Sequence, residues 1–178
     1  MTVEALRRRR PETLGQLLEA YGRELQAVAY LILRDRAEAE DAVIETLLTA
    51  FERGHTIRDE RALRAWLLRV VANEALGRRR RTARLVRLDV TVDAPATGDL
   101  ATESTTRLTL LDGVAALPVR MRAALVLRYY ADLSVDEVAT TLGKSPNTIK
   151  AQLQTALDRL RLSLAEPIGV SLGEAHHA

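Results

Sequence analysis

Residues 134–161 read SVDEVATTLGKSPNTIKAQLQTALDRLR, and the central GKSPNT carries the Lys-Ser pair that closes a phosphate-binding loop. Such a loop also needs a glycine five residues before Gly143, because backbone amides must wrap around the phosphate, and Val138 stands there. Val135, Val138, Ala139 and Leu142 recur instead at helical spacing, the mark of one buried helix face. Ser134 and Glu137 can form a capping box at the start of that helix, and Gly143 ends it where a positive φ is wanted. Ser145 then caps a second helix whose first position is Pro146, where a missing N–H costs nothing. The stretch predicts two helices meeting at a tight corner.

The second helix points Ile149, Leu153, Ala156, Leu157 and Leu160 inward, leaving Asn147, Thr148, Ala151, Gln154, Thr155 and Asp158 outside, flanked by Lys150 and Gln152. Amides, hydroxyls and one small residue suit the base edges of a DNA major groove. The same corner also serves as a plain packing element, so a solvated helix in an all-α domain stays open.

At 178 residues the chain holds one domain or two small ones, and with 3% aromatics its cores must be built from Leu, Ala and Val in helices. A net charge of +2 says little about partners. Its distribution says more: Arg7 to Arg10 form one basic block, Arg78 to Arg81 with Arg84 and Arg87 another, while Asp35, Glu38, Glu40, Asp41 and Glu45 cluster as acid. The absence of cysteine excludes disulfides and thiolate metal sites, and His55, His176 and His177 are not at metal-ligand spacing with any carboxylate cluster. No nucleophile, base and orienting group stand out together, so neither an enzyme nor a cofactor is expected. No apolar run approaches a membrane span and no secretory stretch follows Arg10, which leads to the expectation of a cytoplasmic protein.

The periodicity divides the chain into a basic tail (1–12), a helical domain (13–88), a linker (89–106), a second helical domain (107–165) and a tail (166–178). The first domain reads as three or four helices. One holds Leu14 to Ile32 and breaks at Arg34-Asp35, one runs from about Ala37 to Arg53, and one from about Arg61 to Arg84. DVTVDAPATGDLATESTT, at 89–106, has four acidic residues and no basic one, and reads as a flexible linker. About four helices follow, the last two being the corner motif.

Opposite its core stripe, the second helix carries Asp41 and Glu45 one turn apart, with Ile44 and Leu48 beside them. Either the apolar pair widens the buried stripe, or it forms an exposed patch framed by carboxylates that suits a basic and apolar protein partner. The third helix carries Arg64, Arg69, Asn73 and the run Arg78 to Arg81. Four consecutive arginines exceed what helix-end capping requires, and phosphate is the natural counter-anion.

The runs DRAEAEDAVIETLLTAF (35–51), RALRAWLLRVVANEALGRRRR (61–81), the acidic linker and LPVRMRAALVLRYYADLSVDEVATTLGKSPNTIKAQLQTALDRLR (117–161), in that order, resemble the extracytoplasmic-function group of bacterial RNA polymerase sigma factors. The resemblance implies an all-α fold of two small helical domains, the first docking on the clamp helices of the polymerase through Glu38, Asp41, Ile44, Glu45 and Leu48. It implies promoter minus-ten contacts by Arg58, Arg64, Arg69, Asn73, Arg78, Arg79, Arg80 and Arg81, with a flipped base held by the loop at about Arg53 to Arg61. Trp66 would be a core tryptophan. Minus-thirty-five contacts would come from Lys144, Asn147, Thr148, Lys150, Ala151, Gln152, Gln154 and Thr155, with the second domain near the polymerase flap. The linker would follow the RNA path of the polymerase, and an anti-sigma factor is the family's usual inhibitor. Ile44 stands where the family commonly has Gln, Leu47 where it often has Phe, and Gln152, Gln154 and Thr155 where basic residues are frequent. A free-standing DNA-binding regulator and a sigma-like adaptor that does not start transcription are the rival readings.

Overall fold

The computed structural model describes residues 3, 6, 8, 10, 12–54, 57, 59–87 and 105–165, and among them all regular structure is helical. The first half holds α1 (Glu12–Leu33), α2 (Arg36–Arg53) and α3 (Glu60–Arg87). The second holds α4 (Thr105–Ala116), α5 (Val119–Leu125) running on into a π-helical turn (Val126–Tyr130), α6 (Val135–Leu142) and α7 (Pro146–Ala165). The linker, apart from its last two residues, and the tail at 166–178 lie outside the described residues.

The break between α1 and α2 falls where the sequence expects it. Arg34 takes a φ of 59°, which stops α1, and the Asp35 side chain accepts from the Glu38 N–H at 3.0 Å to start α2. The three long helices pack pairwise around Leu17, Leu25, Val28 and Ile32 of α1, Val43, Leu47 and Ala50 of α2, and Leu63, Leu67, Val71 and Ala75 of α3, all buried. Each full-sized side chain buried here contributes about 1.5–3 kcal/mol. Trp66 is half-buried and packs against this core rather than within it.

In the second half both arms of the capping box form: the Ser134 hydroxyl accepts from the Glu137 N–H at 3.2 Å, and the Glu137 carboxylate accepts from the Ser134 N–H at 2.8 Å. These bonds to the backbone and hydroxyl of Ser134 hold the Glu137 carboxyl below its usual pKa. Gly143 has φ 62°, and the Ser145 hydroxyl accepts from the Thr148 N–H at 3.2 Å to begin α7. The corner is built as the sequence predicts. A second glycine serves contact rather than conformation: a Cβ on Gly113 would come within 2.8 Å of the Ser163 hydroxyl and 3.0 Å of Leu160, so α4 and α7 meet closely.

Nothing in the periodicity announces how the halves relate. In the structure α5 and the π-helical turn pack on α1, and α5 and α6 pack on α3. The buried residues of both halves form one continuous cluster, from Val3 and Leu6 through to Leu160.

A substitution at the corner separates backbone conformation from packing, because the space around a Gly143 Cβ is open while its φ is left-handed. Gly143→Ala should therefore lower the unfolding free energy by about 1–2 kcal/mol. Urea denaturation followed by circular dichroism measures this, and an unchanged midpoint would refute the strained-corner account.

Candidate nucleic-acid and protein interfaces

Two faces of the first half, and one of the second, present groups that the core does not use. On α2 the residues opposite the core are Asp41, Ile44, Glu45 and Leu48. Ile44 is 54% exposed and Leu48 44%, so the pair does not widen the buried stripe. It forms an apolar patch with carboxylates on either side.

Glu38 and Asp41 are joined to α3 by one guanidinium. Arg78 Nη1 lies 2.9 Å from Glu38 Oε2 and 3.2 Å from Asp41 Oδ2. Burial disfavours the charged Arg78 side chain, but the Glu38 hydrogen bond and the charges of Glu38, Asp41 and Glu74 outweigh it, and its pKa rises. Arg78, first of the four-arginine run, is therefore a strut between two helices. Arg80 and Arg81 are exposed and Arg79 is half-buried.

Arg64 is also engaged. Its Nε donates to Glu24 Oε2 of α1 at 3.1 Å, and its Nη2 pairs with the other oxygen of that carboxylate and donates to the Ala131 carbonyl, 2.9 Å away in the second half. Arg69 is half-buried, and its Nε has no hydrogen-bond partner among the described residues. Asn73 is exposed, and lies on the side of α3 that Arg80 continues two turns on. The α3 set thus splits into Arg64 and Arg69 at the seam with the second half, Arg78 on α2, and Asn73, Arg80 and Arg81 in the open. Arg58, with residues 55 and 56 of the loop before α3, falls outside the described residues.

On α7, Asn147, Thr148, Lys150, Ala151, Gln154 and Thr155 are exposed, and Lys144 in the corner is exposed with them. Gln154 Nε2 donates to Asp158 Oδ1 at 3.1 Å, and the Thr155 hydroxyl donates to the Ala151 carbonyl at 3.0 Å, so part of this face is held by local bonds. Gln152 departs from the set. It is half-buried, its Oε1 has no partner among the described residues, and it shares a small cleft with Leu76 of α3, Arg120, Leu142 and Lys144.

Sequence reading missed two features. Tyr129 and Tyr130 are 56% and 52% exposed at the end of the π-helical turn, where helical periodicity assigns neither a face. Arg122 is buried at 4% exposure within the unbroken buried run Arg122 to Leu127. A single arginine inside MRAALVL was the available signal. Among the described residues no helix is long and apolar enough to cross a membrane.

Residues 17–85 match the sigma-70 region 2 family, and residues 107–160 match sigma-70, region 4. The chain is 34% identical over 161 residues to the ECF RNA polymerase sigma factor SigL of Mycobacterium tuberculosis, covering 87% of this chain and 90% of that one. It is 31% identical over 134 residues to the RNA polymerase sigma-E factor of Streptomyces coelicolor, covering 75% of each. The sigma factor RpoE of Bartonella quintana, solved in complex with the anti-sigma factor NepR, shares the fold with a TM-score of 0.73 at 24% identity, over 86% of this chain and 98% of that one.

The strut and the open arginines should respond differently to loss of charge. Arg78→Met should lower stability by about 1 kcal/mol, with the deficit shrinking as salt is raised, whereas Arg81→Met should stay within about 0.5 kcal/mol of the parent. Equal effects in denaturation at low and high salt would contradict the division.

Proposed function

The chain belongs to the extracytoplasmic-function group of sigma-70 family RNA polymerase sigma factors, and from that premise we propose that it binds core polymerase through the outer face of α2 and directs initiation at promoters met by α3 and α7. The observation that carries the docking part is the exposure of Ile44 and Leu48 between Asp41 and Glu45. An apolar pair framed by acids fits a basic and apolar helical partner, where burial supplies affinity and charge supplies orientation. The Arg78 strut supports this reading, because it fixes Glu38 and Asp41 before a partner arrives and so reduces the ordering cost of binding.

Residues 13–88 would form the docking and minus-ten domain, and 107–165 the minus-thirty-five domain. On α3, Asn73, Arg80 and Arg81 are free for the promoter, with Arg79 beside them. Arg58 and the loop before α3 would hold the flipped base, since a preformed pocket traps a base that has left the stack. Arg64 can reach a promoter phosphate only by releasing the Ala131 carbonyl, and Arg69 only by leaving the seam. Promoter engagement by these two then requires the second half to move off α3. On α7, Asn147, Thr148, Lys150, Ala151, Gln154 and Thr155, with Lys144 and Gln152 at the edge, would read the minus-thirty-five major groove. The exposed Tyr129 and Tyr130 suit a contact with the polymerase flap. The linker at 89–106 would follow the RNA path, its carboxylates standing in for phosphates, and an anti-sigma factor would act by covering the docking faces. The chain acts by binding, in the cytoplasm, with no chemistry or cofactor of its own.

Purified chain and core polymerase on genomic fragments, with transcript starts mapped, tests the whole. Starts that depend on the chain are expected; polymerase binding without starts would favour an adaptor, and DNA binding without polymerase binding a free-standing regulator. The double variant Asp41→Lys, Glu45→Lys should weaken polymerase association by at least about a hundredfold, because like charges then face each other across the contact. Arg78 keeps Glu38 in that variant, so circular dichroism should be unchanged; unaltered association would refute docking through α2.

A further inference from the structure

A cavity of about 650 Å³ opens between α3 and the α4–α5 corner. Its walls carry four arginines, Arg79 and Arg80 from the first half and Arg120 and Arg122 from the second, over an apolar floor that includes Leu76, Leu117 and Val119. Among the described residues no carboxylate lines it.

Arg122 is what makes this groove more than a basic surface. It is 96% removed from solvent at 4% exposure, yet its Nε has no hydrogen-bond partner among the described residues. Burial together with the neighbouring charges of Arg79 and Arg34 pushes its pKa down to about 10. A guanidinium taken out of water without a counter-charge is costly, and such groups in folded proteins are paired. An anion in the groove would supply that counter-charge.

We propose that this groove binds a small molecule carrying adjacent phosphate groups, with Arg79, Arg80, Arg120 and Arg122 as its ligands. Phosphate is favoured because guanidinium forks match its oxygens two at a time, and four forks within one groove match a diphosphate better than a single carboxylate. The volume lies in the usual range for a small-molecule site, about 300–1,000 Å³, and Leu76, Leu117 and Val119 offer an apolar bed for the rest of the ligand. Since two of the arginines come from each half, an occupied groove stabilises the seam. The site shares Arg79 and Arg80 with the proposed promoter face, so it is tested by ligand binding in the absence of DNA.

Inorganic pyrophosphate is the probe, titrated into the full chain by calorimetry with thermal melting in parallel. Binding tighter than about 1 mM is expected, with a raised melting temperature. Arg120→Gln, at an exposed position that cannot disturb the core, should weaken binding about tenfold, as should Arg79→Gln. Arg161→Gln removes the same charge outside the groove and should change affinity less than about twofold. Equal weakening by all three variants would mean non-specific attraction and overturn the site, as would absence of binding. Binding that emerges only after Asp89, Asp93, Asp99 and Glu103 are replaced by Asn and Gln would overturn it too, assigning the groove to the acidic segment of the chain itself.

Discussion

The guanidinium of Arg64 is shared between a carboxylate of α1 and a backbone carbonyl of the opposite half, and it adds a fixed polar tie to two halves whose apolar cores are continuous. Ala131 follows the π-helical turn, its own N–H reaching back to the Val126 carbonyl at 3.0 Å. The chain then leaves the helix, with Asp132 at a φ of 54°. The last carbonyls of a helix have no partner within it. Arg64 takes that of Ala131 at 2.9 Å, and Arg128 takes that of Leu133 at 3.1 Å. The widened turn thus creates an acceptor on the second half, and Glu24 holds the donor in place on the first.

Helix α3 consequently serves three neighbours over its 28 residues. Its apolar stripe closes the first core, Arg78 ties it to α2, and Arg64 and Arg69 meet the second half. Only what remains faces solvent. The arginines that look equivalent in one dimension are therefore not equivalent in three: their roles follow from which helix lies opposite each one, and that is a property of packing. A long amphipathic helix with basic residues on every side can hold its own fold together with some of them while offering the others to a polyanion.

Local order was legible in the sequence to the extent that local chemistry decides it. The capping box of Ser134 and Glu137, the left-handed Gly143 and the Ser145-Pro146 start are each settled within a few residues, and each is formed as expected. The limits of α1, α2 and α3 follow from periodicity and from the break at Arg34-Asp35 in the same way. The choice between a buried and an exposed Ile44–Leu48 pair was not legible, because a stripe at the edge of the core has the same spacing in either case; it depends on how far α1 and α3 wrap around α2. The seam was illegible for a stronger reason. It joins helices far apart in the chain by packing that has no periodic signal of its own, and by polar contacts such as that of Arg64 with Ala131, 67 residues away. Arg122 inside an apolar run was its single trace.

The polar outer face of α7 gains meaning from this division of charge. Among the exposed residues of its first three turns Lys150 is the one cation, with Lys144 just before the helix and Arg159 and Arg161 only toward its C-terminal end. Each phosphate contact contributes to affinity through counterion release, so on the proposed function a face with few cations would hold DNA weakly by itself and with a shallow dependence on salt. Amides and hydroxyls instead discriminate among bases without adding much attraction. Such a module becomes effective when another contact keeps it near its target, because tethering replaces intrinsic affinity by effective concentration. The acid and apolar face of α2 is suited to that tether, and the open arginines of α3 to the non-specific hold. On the proposed function, GKSPNT at the corner would set the angle at which α7 is presented to the promoter.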